Sequence, residues 1–174
     1  MTRSHLRAAA AALGLLGFAG TAFAHASIET KQAPADSYYK LVMRVPHGCD
    51  GSPTLKVRIQ IPDGVTGVKP QPKAGWKLEI VKGKLAQPVP DGHGGQITEG
   101  VKEVIWTGQL PDEYYDEFAM RMKLPDRAGE TLNFPTVQEC KKGVARWIEV
   151  PEAGKNMDDY AHPVPQVKLL PKAQ

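Results

Sequence analysis

The chain has 174 residues, 41% of them hydrophobic, with 22 Lys and Arg against 19 Asp and Glu and a formal net charge of +3. That length suits one domain with a real core and leaves little room for a second. The near-balanced charge, with no basic stripe interleaved with aromatics, gives no footing to nucleic acid as a partner.

The chain opens with Arg3, His5 and Arg7, then an apolar run from Ala8 to Ala19, then Ala22, Phe23 and Ala24 with small residues at the third and first places before a cut. This is the tripartite pattern of a secretory signal peptide, residues 1–24, and its apolar run is too short to span a bilayer. Cleavage between Ala24 and His25 predicts a periplasmic or secreted chain, 25–174, with no membrane span. Without Arg3 and Arg7 that chain keeps 20 basic residues against 19 acidic ones, a formal charge of +1.

Beyond His25 the dominant pattern has period two. In TLKVRIQIP, Leu55, Val57, Ile59 and Ile61 share one face and Lys56, Arg58 and Gln60 the other. In EFAMRMKLP, Phe118, Met120, Met122 and Leu124 oppose Arg121 and Lys123. Both read as half-buried strands. Further strands are expected at Tyr38–Pro46, Trp76–Gly83, Val101–Leu110, Gly129–Cys140, Ala145–Val150 and Pro165–Leu170. The 15 prolines and 17 glycines punctuate these segments, and no stretch carries a helical period. The expectation is a single all-β domain, 25–174, a sandwich of about seven to nine strands. Residues Pro88–Gly100 read as a long mobile loop, and the tail after about Pro151 as loosely packed.

Two cysteines in an exported chain, Cys49 and Cys140, read as one disulfide, with a pair of thiolate ligands for a soft metal as the alternative. Closing a loop of roughly 90 residues contributes on the order of 4 kcal/mol through the entropy of the unfolded chain.

His25 carries the most specific chemistry. At the start of a cleaved chain, its amine and its imidazole Nδ1 close a six-membered ring around one metal ion. Such a nitrogen pair suits Cu(II). Both groups must lose protons to bind, so acid should release the ion. Ser27 at the third mature position excludes the related chelate that needs histidine there. A further ligand is expected from RVPHGCDGSPT, where Pro46 ends a strand, His47 and Asp50 offer an imidazole and a carboxylate, and Cys49 can pin the turn.

Other candidates read as structural. Met43, Met120 and Met122 lie on apolar strand faces, where a thioether fills space. His93 in DGHGGQ and His162 before Pro163 read as solvated loop histidines. Trp76, Trp106 and Trp147 read as core aromatics in alternating strands. Cys140 is followed by Lys141 and Lys142 and has no His and Met nearby, which argues against a blue-copper electron-transfer site. The chain carries no Gly-x-Ser-x-Gly elbow, no phosphate loop and no His-Glu-x-x-His, which lowers the case for a hydrolase.

Taken in order, HASIET, RVPHGC, TLKVRIQIP, PKAGWKLE, EVIWTG, FPTVQEC and ARWIEV span roughly His25 to Val150. The set resembles the YcnI-like domain family of exported bacterial copper-binding proteins. The resemblance implies an immunoglobulin-like or cupredoxin-like β-sandwich that holds one Cu(II) through a brace on a single N-terminal histidine. It implies His25 as that brace and Trp147 as an aromatic wall of the metal site. The family's carboxylate, two positions after the proline of the strand-ending Val-Pro, falls on Gly48. That departure makes His47 the expected third nitrogen, ahead of Asp50.

The first functional expectation is therefore an exported, non-enzymatic copper-binding protein in copper acquisition, delivery or homeostasis. It would exchange the ion with other periplasmic copper chaperones or a membrane copper transporter. A second is a copper-dependent oxidative enzyme built on a histidine brace. That enzyme needs an open face of exposed aromatics, for which 7% aromatic residues offer little. A third is a metal-free β-sandwich that binds another protein, in which His25 has no special role.

Overall fold

Alternation of apolar and charged residues builds the strands of this protein, and what the alternation buries becomes its core. The computed structural model describes residues 25–173; the signal-peptide reading of residues 1–24 lies outside them. In chain order the strands are β1 (Ser27–Ile28), β2 (Gln32–Pro34), β3 (Tyr38–Val45), β4 (Thr54–Gln60), β5 (Thr66–Pro70) and β6 (Lys77–Pro90). They continue as β7 (Gln96–Leu110), β8 (Asp116–Lys123), β9 (Thr131–Asn133), β10 (Thr136–Cys140), β11 (Val144–Trp147) and β12 (Gln166–Leu170). Three sheets result, ordered β1-β3-β8-β5, β11-β10-β4-β7-β6 and β2-β12-β9. Among the described residues the helical content is a single 3-10 turn, Met157–Asp159.

The two larger sheets enclose one core. Leu41, Met43 and Val45 of β3 and Phe118, Met120 and Met122 of β8 are buried together with Val57 and Ile59 of β4 and Val104 and Trp106 of β7. Each side chain of that size stabilises the fold by roughly 1.5–3 kcal/mol when fully removed from water. The three methionines fill space within this core, each at most 1% exposed. On the outer face of the five-stranded sheet Arg58 of β4 bridges Glu103 of β7 and Glu139 of β10 at 3.0 and 3.5 Å, tying three neighbouring strands.

Among the described residues the strands number twelve, above the seven to nine expected, because β1, β2, β5 and β9 are two to five residues long and too short to show a period. Gly129–Cys140, expected as one strand, divides at Phe134 and Pro135, since a proline has no N–H to keep the ladder going.

Two further expectations are corrected. Pro88–Gly100 is not a loop: β6 and β7 run through it as one hairpin, closed where the Asp91 N–H donates to Gly95 O at 3.1 Å. Pro88 and Pro90 are tolerated because β6 is an edge strand, and Gly92 and Gly94 take the positive φ of the turn. The tail after Pro151 is surface chain only as far as Ala161. Val164 is fully buried, and β12 runs parallel to β2 and antiparallel to β9.

Candidate metal centre

The short strand β1 brings His25 to the end of the sandwich. It pairs antiparallel with β3 through Ser27↔Arg44 and Ile28↔Met43. Continued by two residues beyond the strand, that register would set His25 opposite Pro46, the residue before His47. Ala26 and Ile28 anchor the segment in the core at 3% and 2% exposure. Behind β1 the Tyr39 hydroxyl donates to the Thr30 carbonyl. Burial and the neighbouring Glu29 carboxylate push the Tyr39 pKa up to about 12. The His25 imidazole is half-buried, its Nε2 is a buried atom, and its ring lies 5.8 Å from that of Trp147, tilted by 59°.

His47 stands on a turn that is held from several sides. The Cys49 and Ser52 backbones bond to each other in both directions at 2.9 Å, with Asp50 (φ 47) and Gly51 (φ 78) between them in left-handed geometry. An aspartate tolerates that geometry better than most side chains, and glycine best of all. Cys49 is joined to Cys140 of β10 by a disulfide. The Gly48 N–H donates to Asp112 Oδ1 at 2.9 Å. The His47 Nδ1 lies 2.5 Å from the Gly48 carbonyl oxygen. A carbonyl only accepts, so Nδ1 carries the proton and the lone pair of the neutral ring sits on Nε2.

Gln138 of β10 joins this turn to Trp147. Its side chain is fully buried. Its amide Nε2 donates to the His47 carbonyl and to Thr54 Oγ1, both at 2.7 Å, and its Oε1 accepts from the Trp147 indole N–H at 3.2 Å. On the other side Trp147 meets the ring of His162 at 5.0 Å. The His162 backbone is clamped to the end of β11: its carbonyl accepts from Ile148 and Glu149 at 3.1 Å, and its N–H donates to Glu149 Oε2 at 2.6 Å.

Residues 25–169 match the family described as a domain of unknown function, DUF1775. This chain belongs to the DUF1775 family. YcnI-like proteins belong to it too, so the resemblance of the ordered motifs is one of family. Among solved structures, an uncharacterized protein from Nocardia farcinica whose crystal structure has an immunoglobulin-like fold is similar. Its TM-score is 0.62 at 21% identity, over 84% of this chain and 98% of that one. The likeness shows an immunoglobulin-like fold. No curated protein matches.

In this DUF1775 domain the predicted site residues fall into two groups. His25, Trp147 and the His47 turn belong to one connected cluster, linked through the indole and Gln138. Asp50 sits exposed at the tip of its turn, where its backbone conformation accounts for the residue. Among the described residues no three His, Cys, Asp or Glu side chains come together in a metal-holding group. Gly48, the position where the resemblance implies a carboxylate, has no room for a side chain: a Cβ there would lie 1.9 Å from the Ser52 carbonyl oxygen.

Three residues of the cluster escaped sequence reasoning. Gln138 had a signal, an inward position in an alternating strand. His162, read as a solvated loop residue, is half-buried against Trp147 because Pro163 and Pro165 stiffen the chain into the buried run before β12. Asp112 carried no signal, since its partner is 64 residues away.

Proposed function

We propose that this DUF1775 protein is an exported copper-binding protein that holds one Cu(II) through His25 of the processed chain, with His47 as the further imidazole. The observation that carries the reading is the β1–β3 register, which, continued beyond the strand, would set His25 opposite Pro46, the residue before His47 on its pinned turn. The family match, which starts at His25, supports it. The described side chains alone make no three-ligand group. A brace supplies its own extra donor, because cleavage frees the His25 amine to close a chelate with Nδ1. Nε2, the buried ring nitrogen, is then left to the protein side. Two imidazoles and an amine form a nitrogen-rich set of the kind Cu(II) favours. In the precursor the peptide bond to Ala24 occupies that amine, so the site belongs to the exported form alone.

Copper acquisition, delivery or homeostasis is the role this chemistry serves, with periplasmic copper chaperones or a membrane copper transporter as partners. Titration of the processed protein with Cu(II), followed by EPR, is expected to give a mononuclear, nitrogen-rich signal. One residue added before His25, or His25→Ala, is expected to weaken binding at least 100-fold, the scale of losing one arm of a chelate. Unchanged affinity in both variants overturns the reading in favour of a metal-free interaction module.

A specific observation favours a second reading, an oxidative enzyme. Tyr114 and Tyr115 are 59% and 64% exposed in the loop whose Asp112 holds the His47 turn. Peroxide-dependent oxidation of polysaccharide by the copper-loaded protein decides between enzyme and carrier.

A further inference from the structure

The disulfide is only one of two rungs between β10 and the His47 turn. Cys140 holds Cys49, and two residues earlier on the same face of the strand Gln138 holds His47 through its carbonyl. A fully buried amide in a strand is costly unless its donors and acceptor are paired. Here the pairing is complete: both N–H groups donate, and the oxygen accepts. Its orientation is also settled by chemistry. The indole N–H of Trp147 can only donate and the His47 carbonyl can only accept, so the amide cannot be flipped without breaking both bonds.

We infer that Gln138 is a positioning residue of the metal site, fixing the His47 turn and the Trp147 indole relative to each other while touching no ligand ring itself. The inference rests on the copper reading above. Trp147 packs on the ring of His25, and His47 hangs from the turn. A single side chain therefore ties the turn that carries His47 to the indole that meets the ring of His25. The disulfide fixes the turn at Cys49, whereas Gln138 reaches both the turn and the indole. Outer partners of this kind typically change metal affinity 10- to 100-fold when removed.

Two substitutions separate the arms. Gln138→Glu, compared at a pH above the raised pKa of a buried carboxyl, still accepts from the Trp147 indole N–H but once ionised cannot donate to the His47 carbonyl. Trp147→Phe keeps an aromatic ring against His25 and removes the indole donor. Each is expected to weaken Cu(II) binding by the processed protein about 10-fold and to change the EPR hyperfine splitting, with cooperative thermal unfolding retained. Gln138→Met, which removes both arms, is expected to weaken binding up to about 100-fold.

A double-mutant cycle distinguishes positioning from simple destabilisation. In a His47→Ala background the Gln138→Glu effect on affinity is expected to vanish, because the group it orients is gone. Full persistence of that effect, or an unaltered EPR spectrum in both single variants, overturns the inference. If Gln138→Met does not fold, Gln138→Glu and Trp147→Phe carry the test. Loss of copper binding in the wild-type processed protein is a separate outcome. It overturns the copper reading, and the inference that rests on it, before any Gln138 variant is compared.

Discussion

The five-stranded sheet ends very differently at its two edges. Near the β11–β10 edge the irregular segment RVPHGCDGSPT, between β3 and β4, is held by a dense set of side-chain ties: a disulfide, a buried glutamine, and a carboxylate on the Gly48 N–H. At the β6 edge the hairpin of β6 and β7 extends past the core with a long backbone ladder and mostly exposed side chains. The irregular segment is the more constrained of the two. Regular pairing delivers a strand and sets which face its side chains take, as β1 does for His25; cross-ties between elements distant in sequence hold an irregular turn such as that of His47 in place.

The largest effect that sharpens this contrast comes from the disulfide. Replacing Cys49 and Cys140 together by Ser releases a tie that spans 91 residues. Unfolding free energy is expected to fall by about 4 kcal/mol, as expected for a loop of that length. Urea denaturation measures it, alongside a Cu(II) titration. The copper affinity is expected to fall much less than in the His25 variants, since Gln138 and Asp112 still hold the turn. A stability loss under 1 kcal/mol would show that this end is held by its hydrogen bonds instead.

A smaller effect acts on the strand that delivers His25. Tyr39 donates to Thr30 just beyond β1, and its pKa is pushed up to about 12 from an ordinary 10, with burial as the larger cause and Glu29 as the second. The folded state thus holds the phenol proton more tightly than the unfolded one. Its contribution is fully present below pH 10 and is lost as pH rises from 10 through 12, about 2 to 3 kcal/mol at 1.36 kcal/mol per unit. Denaturation midpoints between pH 8 and 12 are expected to fall more steeply in wild type than in Tyr39→Phe. Parallel curves for the two proteins would remove Tyr39 from the account.

The same contrast governs how much was legible in the sequence. Period-two alternation revealed the core strands, because Val57, Ile59, Met120 and Met122 are selected by a local rule, inward every second residue. The export pattern and the motif order pointed to His25, His47 and Trp147. What stayed hidden depends on partners far along the chain: Asp112 against Gly48 across 64 residues, Gln138 against His47 across 91. Pro88–Gly100 misled for the opposite reason. Its prolines and glycines are local loop signals, and only its place at a sheet edge allows a strand to carry them.

The smallest effect is expected at that hairpin. Lys84 pairs with Glu99, and beyond them the ladder shifts register before Val89 pairs with Ile97 and Pro90 with Gln96. Leu85 lies over Gly100, where an added Cβ would come within 2.8 Å of it, and Leu85, Val89 and Ile97 are only partly buried. At the tip the Asp91 carboxylate accepts from the His93 and Gly95 N–H groups, which hold it below the usual carboxylate range. All of these interactions are internal to the arm. Replacing residues 85–98 by Asn-Gly joins Lys84 to Glu99 through a two-residue turn suited to the twist of the strands. Stability is expected to change by less than about 1 kcal/mol, because a surface hairpin tip contributes little to the core and a shorter loop costs less to close. Cu(II) affinity and the EPR spectrum are expected to stay as in wild type, since the arm lies at the β6 edge while the His47 turn is tied to β10, with β4 and β7 between β10 and β6. A copper affinity that moved with this trimming would mean that the two edges are coupled through β7 and β4, and the division of the molecule into a pinned end and a free arm would be wrong.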